Sequence, residues 1–364
     1  MNILYVANLG TNRASGVNVV VPQHMKYQSE YANIGFYNFQ KTSMIIDSNV
    51  TIISNGEHSE FNIEKFPEPF NNPDIVIIHD IFSSLKFCKV AKILNKIKIP
   101  YIIVPHGCFT HNAMKRRKLR KVLAINTVLR NLVYKATAIQ FLSDAEMKSS
   151  YININPIIIP NGTIIPKNVE LKKSDSNKIS FIYIGRKDIY YKGIDLLLKA
   201  CKLAENAMRK YGATLTLYGP DRKGSFIEIE KMISEYKIGD FVFNKEGVFE
   251  QEKDEVLRNS SVFVLTSRTE GQPIALLEAC AYGLPVLITP GTNVADEVIK
   301  FNCGWVANLS AESIAEKLTY IINHQEEIQN ISRNAHKYVS SEYNWEVVSK
   351  KAVNQYKIIK NKNS

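Results

Sequence analysis

Thr269-Glu-Gly-Gln-Pro-Ile-Ala-Leu-Leu-Glu-Ala-Cys-Ala-Tyr-Gly-Leu-Pro-Val286 is the stretch that decides the fold. Upstream of it, Ser261-Val-Phe-Val-Leu-Thr266 has the β-branched and aromatic character of a buried strand. Gly271 then allows a tight turn, Pro273 suits the first position of a helix, and Gly283 suits its stop. The order is strand, glycine loop, helix, with the helix N-terminus facing the loop. Unpaired amides and the positive end of the helix dipole make that point attractive to phosphate. Glu278, one to two turns in, can accept hydrogen bonds from neutral hydroxyls nearby. Phosphate beside a diol is the chemistry of a nucleotide. The spacing of Glu270 and Glu278 is weak evidence alone, because such pairs recur on solvated helix faces; the strand, glycines and prolines around it give it weight.

Outward from this stretch, strand-like runs alternate with helical ones, the pattern of βα units and parallel sheets covered on both faces. The strands are expected at 2–7, 51–54, 75–79, 101–104, 138–142 and 156–159, then at 179–184, 214–218, 241–243, 262–266 and 285–289. They imply an α/β protein of two Rossmann-like domains, 1–165 and 166–342. The polar, Ser/Asn/Lys-rich segment 165–177 reads as the linker, and 343–364 as a closing helix. A chain of 364 residues, 45% hydrophobic, can fill two cores.

Composition excludes several classes. Cys88, Cys108, Cys201, Cys280 and Cys303 are odd in number and form no C-x-x-C pair, which argues against a disulfide framework and a structural zinc site and fits a reducing cytoplasm. The apolar start, Met1–Ala7, is too short for a signal-peptide core and reads as a first strand. No apolar run approaches the ~18–20 residues that span a bilayer. The expectation is a cytoplasmic protein, soluble or peripheral on the inner face of the cell membrane. G-x-S-x-G, H-E-x-x-H and P-loop motifs are all absent from the sequence, and no D-x-D clamp for a metal stands out.

The net charge of +11 is uneven: Lys and Arg exceed Asp and Glu by 8 in residues 1–165 and by 3 in residues 166–364. Most of the excess is Lys115-Arg-Arg-Lys-Leu-Arg-Lys121, which leads into the stripe Leu119, Val122, Leu123, Leu129 and Val133. This reads either as a basic amphipathic helix for an anionic membrane surface or as the solvated face of a packed helix. No aromatics interleave with the cations, so nucleic acid is not an expected partner.

Other candidates lie at strand ends, where ligands of parallel sheets bind. Gly185-Arg186 follows a strand and Lys192-Gly193 precedes a helix, and these two cations can balance charge on a departing diphosphate. Gly10-Thr-Asn-Arg-Ala-Ser-Gly16 joins the first strand to a helix starting near Val17, but is not G-x-G-x-x-G. His79-Asp80 and Pro105-His106-Gly107 end two more strands, and Asn161-Gly162 reads as a structural turn.

The run Glu270–Val286 resembles, without a break, the E-x7-E signature of family four of the retaining glycosyltransferases with the GT-B fold, commonly E-G-x-P-x-x-x-L-E-A-x-A-x-G-x-P-V. Gly185-Arg186 with Lys192-Gly193 resembles the same family. The resemblance covers most of the chain and is specific over 185–193 and 270–286. It implies two domains facing a cleft, with the last helix crossing back to the first. It also implies that Arg186 and Lys192 contact the donor pyrophosphate, that Glu270, Gly271 and Gln272 hold the sugar, and that Glu278 holds the ribose. The resemblance further implies that Gly185, Ser15 and Gly16 border the donor, with Ser15-Gly16 standing where the family often has two glycines, and that His106 touches the donor sugar.

The activity so implied is metal-independent, retaining transfer from a nucleotide-sugar, with no cofactor and with a UDP-sugar placed ahead of GDP-mannose. The acceptor is expected to be a glycan, undecaprenyl-diphosphate-linked or soluble, in bacterial O-antigen or capsule synthesis. Two other readings stay open: a GT-B sugar-nucleotide epimerase, and a non-catalytic protein that binds nucleotide-sugar or RNA.

Overall fold

A computed structural model of the chain describes residues 1–12, 15–42, 45–56, 60–115, 118–169, 171 and 178–363; the side chains of 55, 112, 115, 118–120 and 363 lie outside that description. The chain divides into two units, one of Met1–Gly162 with Trp345–Ser364 and one of Thr163–Asn344.

The first unit holds seven parallel strands: β1 (Asn2–Ala7), β2 (Asn33–Asn38), β3 (Val50–Asn55), β4 (Ile75–His79), β5 (Tyr101–Val104), β6 (Ala138–Phe141) and β7 (Pro156–Ile158), ordered β3-β2-β1-β4-β5-β6-β7. The second holds six: β8 (Ser180–Ile184), β9 (Thr214–Tyr218), β10 (Val242–Lys245), β11 (Val262–Leu265), β12 (Val286–Ile288) and β13 (Gly304–Val306), ordered β10-β9-β8-β11-β12-β13. Helices cover both faces, which is why central strands such as Ile75–His79 and Val262–Leu265 are buried at every position. In each sheet the chain order reverses once, between β1 and β4 and between β8 and β11. Parallel sheets bind ligands outside the carboxyl ends of the strands at such a reversal.

Two strands were not expected from the sequence. β2 carries Gly35, which weakens a strand interior, yet that glycine is needed there, because a Cβ would sit 2.7 Å from the Phe70 ring. β13 is only three residues long, Gly304–Val306, and carries too little pattern to be read. The domain break also moves. Gly162 ends the first unit, ahead of the 165–177 segment, of which residues 170 and 172–177 lie outside the described residues.

The basic segment corrects the single amphipathic helix expected over 115–133. The described helical stretches there are His111–Lys115, Lys118–Asn126 and Arg130–Tyr134, and a turn at 127–129 separates the last two. Ile125, Leu129, Leu132 and Val133 are core residues, whereas Leu123 is 65% exposed. Residues 116 and 117, and the side chains of 115 and 118–120, fall outside the described residues. Lys121 folds back to donate to the Ala113 carbonyl at 2.7 Å. No described helix is long and apolar enough to cross a membrane.

The closing helix, Trp345–Asn363, belongs to the first unit. It buries Trp345, Val348, Ala352, Val353, Tyr356 and Ile359, one stripe at helical spacing. Trp345 stacks on Tyr27 at 5.6 Å and meets the edge of His24 at 4.8 Å. Tyr356 donates to Gln140 at 2.7 Å, and Lys360 pairs with Asp74 at 2.5 Å.

Candidate functional site

In the second unit, the loops after β8 and β11 flank the sheet's reversal, and the expected residues gather there. Gly193 enters its helix with φ +64°, and a Cβ on it would lie 2.0 Å from the Thr266 carbonyl oxygen. This close approach brings the Lys192 loop against the end of β11. Lys192 then forms an ion pair with Glu270, both side chains mostly buried. Ser267 donates to the same carboxylate at 2.6 Å. The two residues read separately as diphosphate and sugar contacts are thus direct partners.

The Glu270 loop is held from behind. Asn293, in a left-handed conformation, donates to the Glu270 carbonyl at 2.6 Å. Arg268 forms a two-pronged pair with Asp195 at 2.7 Å on each prong, and Thr289 donates to the Ser267 carbonyl at 2.8 Å. None of these supports is in the E-x7-E pattern. Asn293 follows Pro290-Gly-Thr292, a turn-forming sequence that was a legible signal for a left-handed residue.

The helix beyond the loop is Ile274–Ala281, and Pro273 is its N-cap with ψ 105° rather than its first turn residue. Proline's fixed φ suits that extended entry as well as it suits the first turn. Pro273 makes no side-chain capping bond, so the first amides carry the positive end of the dipole toward the loop. Gly271 is half-buried and Gln272 buried. Glu278, in the second turn of the helix, pairs with Lys253 at 2.6 Å. That lysine lies on the preceding helix, Glu250–Asn259, and no motif marked it.

Gly185 directly follows β8 and Arg186 is exposed beyond it, with no ion pair among the described residues. Tyr183 braces this turn by donating to the Arg186 carbonyl at 2.8 Å. The neighbouring Lys187 is fully buried, donates to the Lys245 carbonyl at 2.6 Å and lies 4.3 Å from the centre of the Phe226 ring. Burial draws its pKa down to about 8.

In the first unit, Ser15 is the N-cap of the helix Gly16–Gln28, with no side-chain capping bond. A Cβ on Gly16 would meet nothing within 4 Å. Asn18 ties the loop by donating to the carbonyls of Gly10 and Asn12; Arg13 and Ala14 lie outside the described residues. His79 and His106 come together at the ends of β4 and β5, with His79 Nδ1 and His106 Nε2 2.9 Å apart. Asp80 and His106 both have positive φ, +53° and +49°, as does Gly107 at +81°. Strained backbone concentrated at adjacent strand ends is typical of working sites.

Sequence reading missed Glu146. Its carboxylate accepts from the Gly107 amide at 2.5 Å and the Leu142 amide at 2.7 Å, so it holds the turn that carries His106. Burial pushes its pKa up to about 7, against the pull of these two amides. The signal was there: Ser143-x-x-Glu146 has capping-box spacing, and Ser143 caps the helix as that box requires. Nearby, burial lowers His24 to about 4 and His106 to about 3, leaving both rings neutral at pH 7.

The first unit also contains a cavity of about 530 Å³ at the carboxyl ends of β2 and β3, lined by Tyr37, Phe39, Phe61, Lys86 and Lys89 among others. Lys86 stands 5.3 Å from the centre of the Phe39 ring. No group of three or more metal-ligating side chains occurs among the described residues.

Residues 165–338, inside the second unit, match the family model described as Glycosyl transferases group 1. Over 279 residues the chain is 24% identical to an uncharacterized glycosyltransferase of Methanocaldococcus jannaschii, covering 75% of this chain and 72% of that protein. Among solved structures it is similar to sucrose-phosphate synthase from Thermosynechococcus elongatus (TM-score 0.74, 16% identity, 99% of both chains covered). It is similar also to HepE from Anabaena in complex with UDP (TM-score 0.73, 15% identity, 98% and 99% covered). A third is WaaG, a glycosyltransferase involved in lipopolysaccharide biosynthesis (TM-score 0.65, 16% identity, 96% and 98% covered). By fold the chain is a GT-B protein of two parallel-sheet Rossmann-like units, and by sequence its second unit matches the group 1 glycosyl transferases.

Proposed function

We propose that this protein is a retaining, metal-independent glycosyltransferase that moves a hexose from a nucleotide-sugar, a UDP-sugar ahead of GDP-mannose, to a glycan acceptor in bacterial surface polysaccharide synthesis. The observation that carries the reading is the Lys192–Glu270 pair beside the uncapped mouth of helix Ile274–Ala281, with Glu278 in its second turn. A diphosphate seated there meets backbone amides, Lys192 and the exposed Arg186, all of which favour the charge that builds as the leaving group departs. Entry of the diphosphate releases Glu270 from Lys192 to accept from sugar hydroxyls, while Glu278 accepts from the ribose. The acceptor oxygen attacks the anomeric carbon from the face the diphosphate leaves, and a donor phosphate oxygen takes the acceptor's proton. UDP in the HepE complexes and the lipopolysaccharide role of WaaG support the choice of base and of pathway class.

The first unit serves the acceptor, and the cavity beside Phe39, Lys86 and Lys89 offers an aromatic wall and two cations for it. In this reading the acceptor is lipid-linked, and the segment Lys115–Lys121 meets the anionic membrane surface; vesicle flotation after charge removal there tests that part.

The core of the proposal is tested by thermal shift with UDP, GDP, ADP and CMP, followed by product analysis with UDP-glucose. UDP at about a hundred times its dissociation constant should add about 2.7 kcal/mol of stability. Lys192→Ala should weaken UDP binding at least tenfold and leave the unfolding transition of the free protein cooperative. Stabilisation by none of the four nucleotides would sink the reading.

A further inference from the structure

We propose that His79 is a positioning residue: it holds the neutral His106 ring as the tautomer protonated on Nδ1, so that His106 meets its ligand as a hydrogen-bond donor to a hydroxyl or phosphate oxygen. The inference deepens the glycosyltransferase reading and rests on it for what the ligand is, but not for the state of the ring.

The geometry begins with the strands. His79 is the last residue of β4 and pairs in register with Val104, the last of β5. Two residues later the chain turns through positive φ at His106 and Gly107, and this brings the two imidazoles together. Their facing nitrogens are His79 Nδ1 and His106 Nε2, 2.9 Å apart. His79 is 1% exposed and stacked on Tyr5 of β1 at 5.3 Å, so its ring is fixed on the far side as well. His106 is only half-buried and can reach a ligand.

Neither ring is charged. Burial lowers the pKa of both, and each is further opposed by a nearby imidazole: His106 and His24 for His79, His24 for His106. Two neutral rings share a single proton across the 2.9 Å contact, which leaves two arrangements. If His106 Nε2 carries it, His79 must be protonated on Nε2, and that nitrogen is buried with no hydrogen-bond partner among the described residues. An N–H would then be orphaned in the core, the rarer of the two kinds of unsatisfied group in folded proteins. If His79 Nδ1 carries the proton, the orphan is a bare lone pair, and His106 is left with its own proton on Nδ1. The second arrangement is the one we assign.

The test is long-range proton–nitrogen correlation on ¹⁵N-histidine-labelled full-length protein without nucleotide, with His106 assigned by comparison with His106→Gln. The wild type should show His106 protonated on Nδ1. His79→Asn places an amide N–H where Nδ1 was and should keep that tautomer, whereas His79→Leu should release it to the Nε2–H form or a mixture. Turnover of UDP-glucose should follow: within about threefold of wild type for the asparagine variant, and at least tenfold lower in kcat/KM for leucine at a matched unfolding midpoint. A wild-type His106 protonated on Nε2, or a leucine variant with an unchanged tautomer, overturns the proposal. If His79→Leu does not fold, the wild-type and asparagine spectra decide. If no nucleotide-sugar is turned over at all, the glycosyltransferase reading fails while the ring assignment stands or falls on the spectra alone.

Discussion

His24 shows how one buried side chain sets a pH response. It is 2% exposed, contacts Asn161 at 3.2 Å and Gln28 at 3.4 Å, and is held neutral with a pKa near 4. Because the folded value lies below the ordinary one of 6.5, the unfolded chain binds more protons between those limits. Stability from this residue is therefore complete above pH 6.5 and lost as pH falls toward 4. The loss is at most about 3 kcal/mol, with His106 adding to it in the same direction. Glu146 works oppositely: its raised pKa means that its share weakens as pH rises from about 4.5 to 7. Urea unfolding at pH 7 and pH 4.5 should show a markedly lower midpoint in acid. His24→Gln should reduce that difference while costing about 1–3 kcal/mol at pH 7 through the disturbed buried bonds. An unchanged pH difference in the variant would remove His24 from the account.

At the scale of elements, the closing helix is a structural part of the first unit although the whole of the second unit intervenes in sequence. Trp345 is 3% exposed and lies so close to Gly162 that a Cβ there would come within 2.5 Å of its ring. Trp345→Ala should cost about 3–5 kcal/mol. Gly162→Ala should also destabilise, because the indole is boxed in by Tyr27 and His24 and has little room to shift. Chemical denaturation followed by a probe in the first unit checks both; a Trp345→Ala variant within about 1 kcal/mol of wild type would mean the helix contributes little. Element identity was largely legible in the sequence, since all eleven expected strands stand within a residue or two of their predicted positions. The misses have local causes. Gly35 weakens the strand signal of β2, and the demand for it comes from Phe70, distant in sequence. The basic segment looked like one helix because its charges were read together, whereas a turn at 127–129 separates Lys118–Asn126 from Arg130–Tyr134.

For the whole molecule, each unit has its own core, but only one unit is continuous in sequence. Residues 163–344 expressed alone should unfold cooperatively and retain UDP binding within about threefold of the full chain, since the Lys192, Glu270 and Glu278 cluster lies wholly within them. Residues 1–162 alone lack Trp345 and Tyr356 and should fold poorly until a 345–364 peptide is supplied. Calorimetry and UDP titration of the two fragments decide this, and loss of UDP binding by the isolated second unit would contradict the assignment of the donor site.

The amino-acid sequence by itself determined the α/β class, the positions of nearly all strands, and the loop-to-helix passages at 185–193 and 270–278, because periodicity, glycine placement and strand-to-helix transitions are local properties of the chain. It named Lys192 and Glu270 without showing that they touch; it gave no sign of Lys253, and its local signals at Asn293 and Glu146, a turn and a capping box, did not show what those residues hold. Only the tertiary structure decided those, along with the pairing of His79 with His106 across two strands. A hydrogen bond between residues 27 or 78 positions apart depends on strand order and register, which no local pattern encodes.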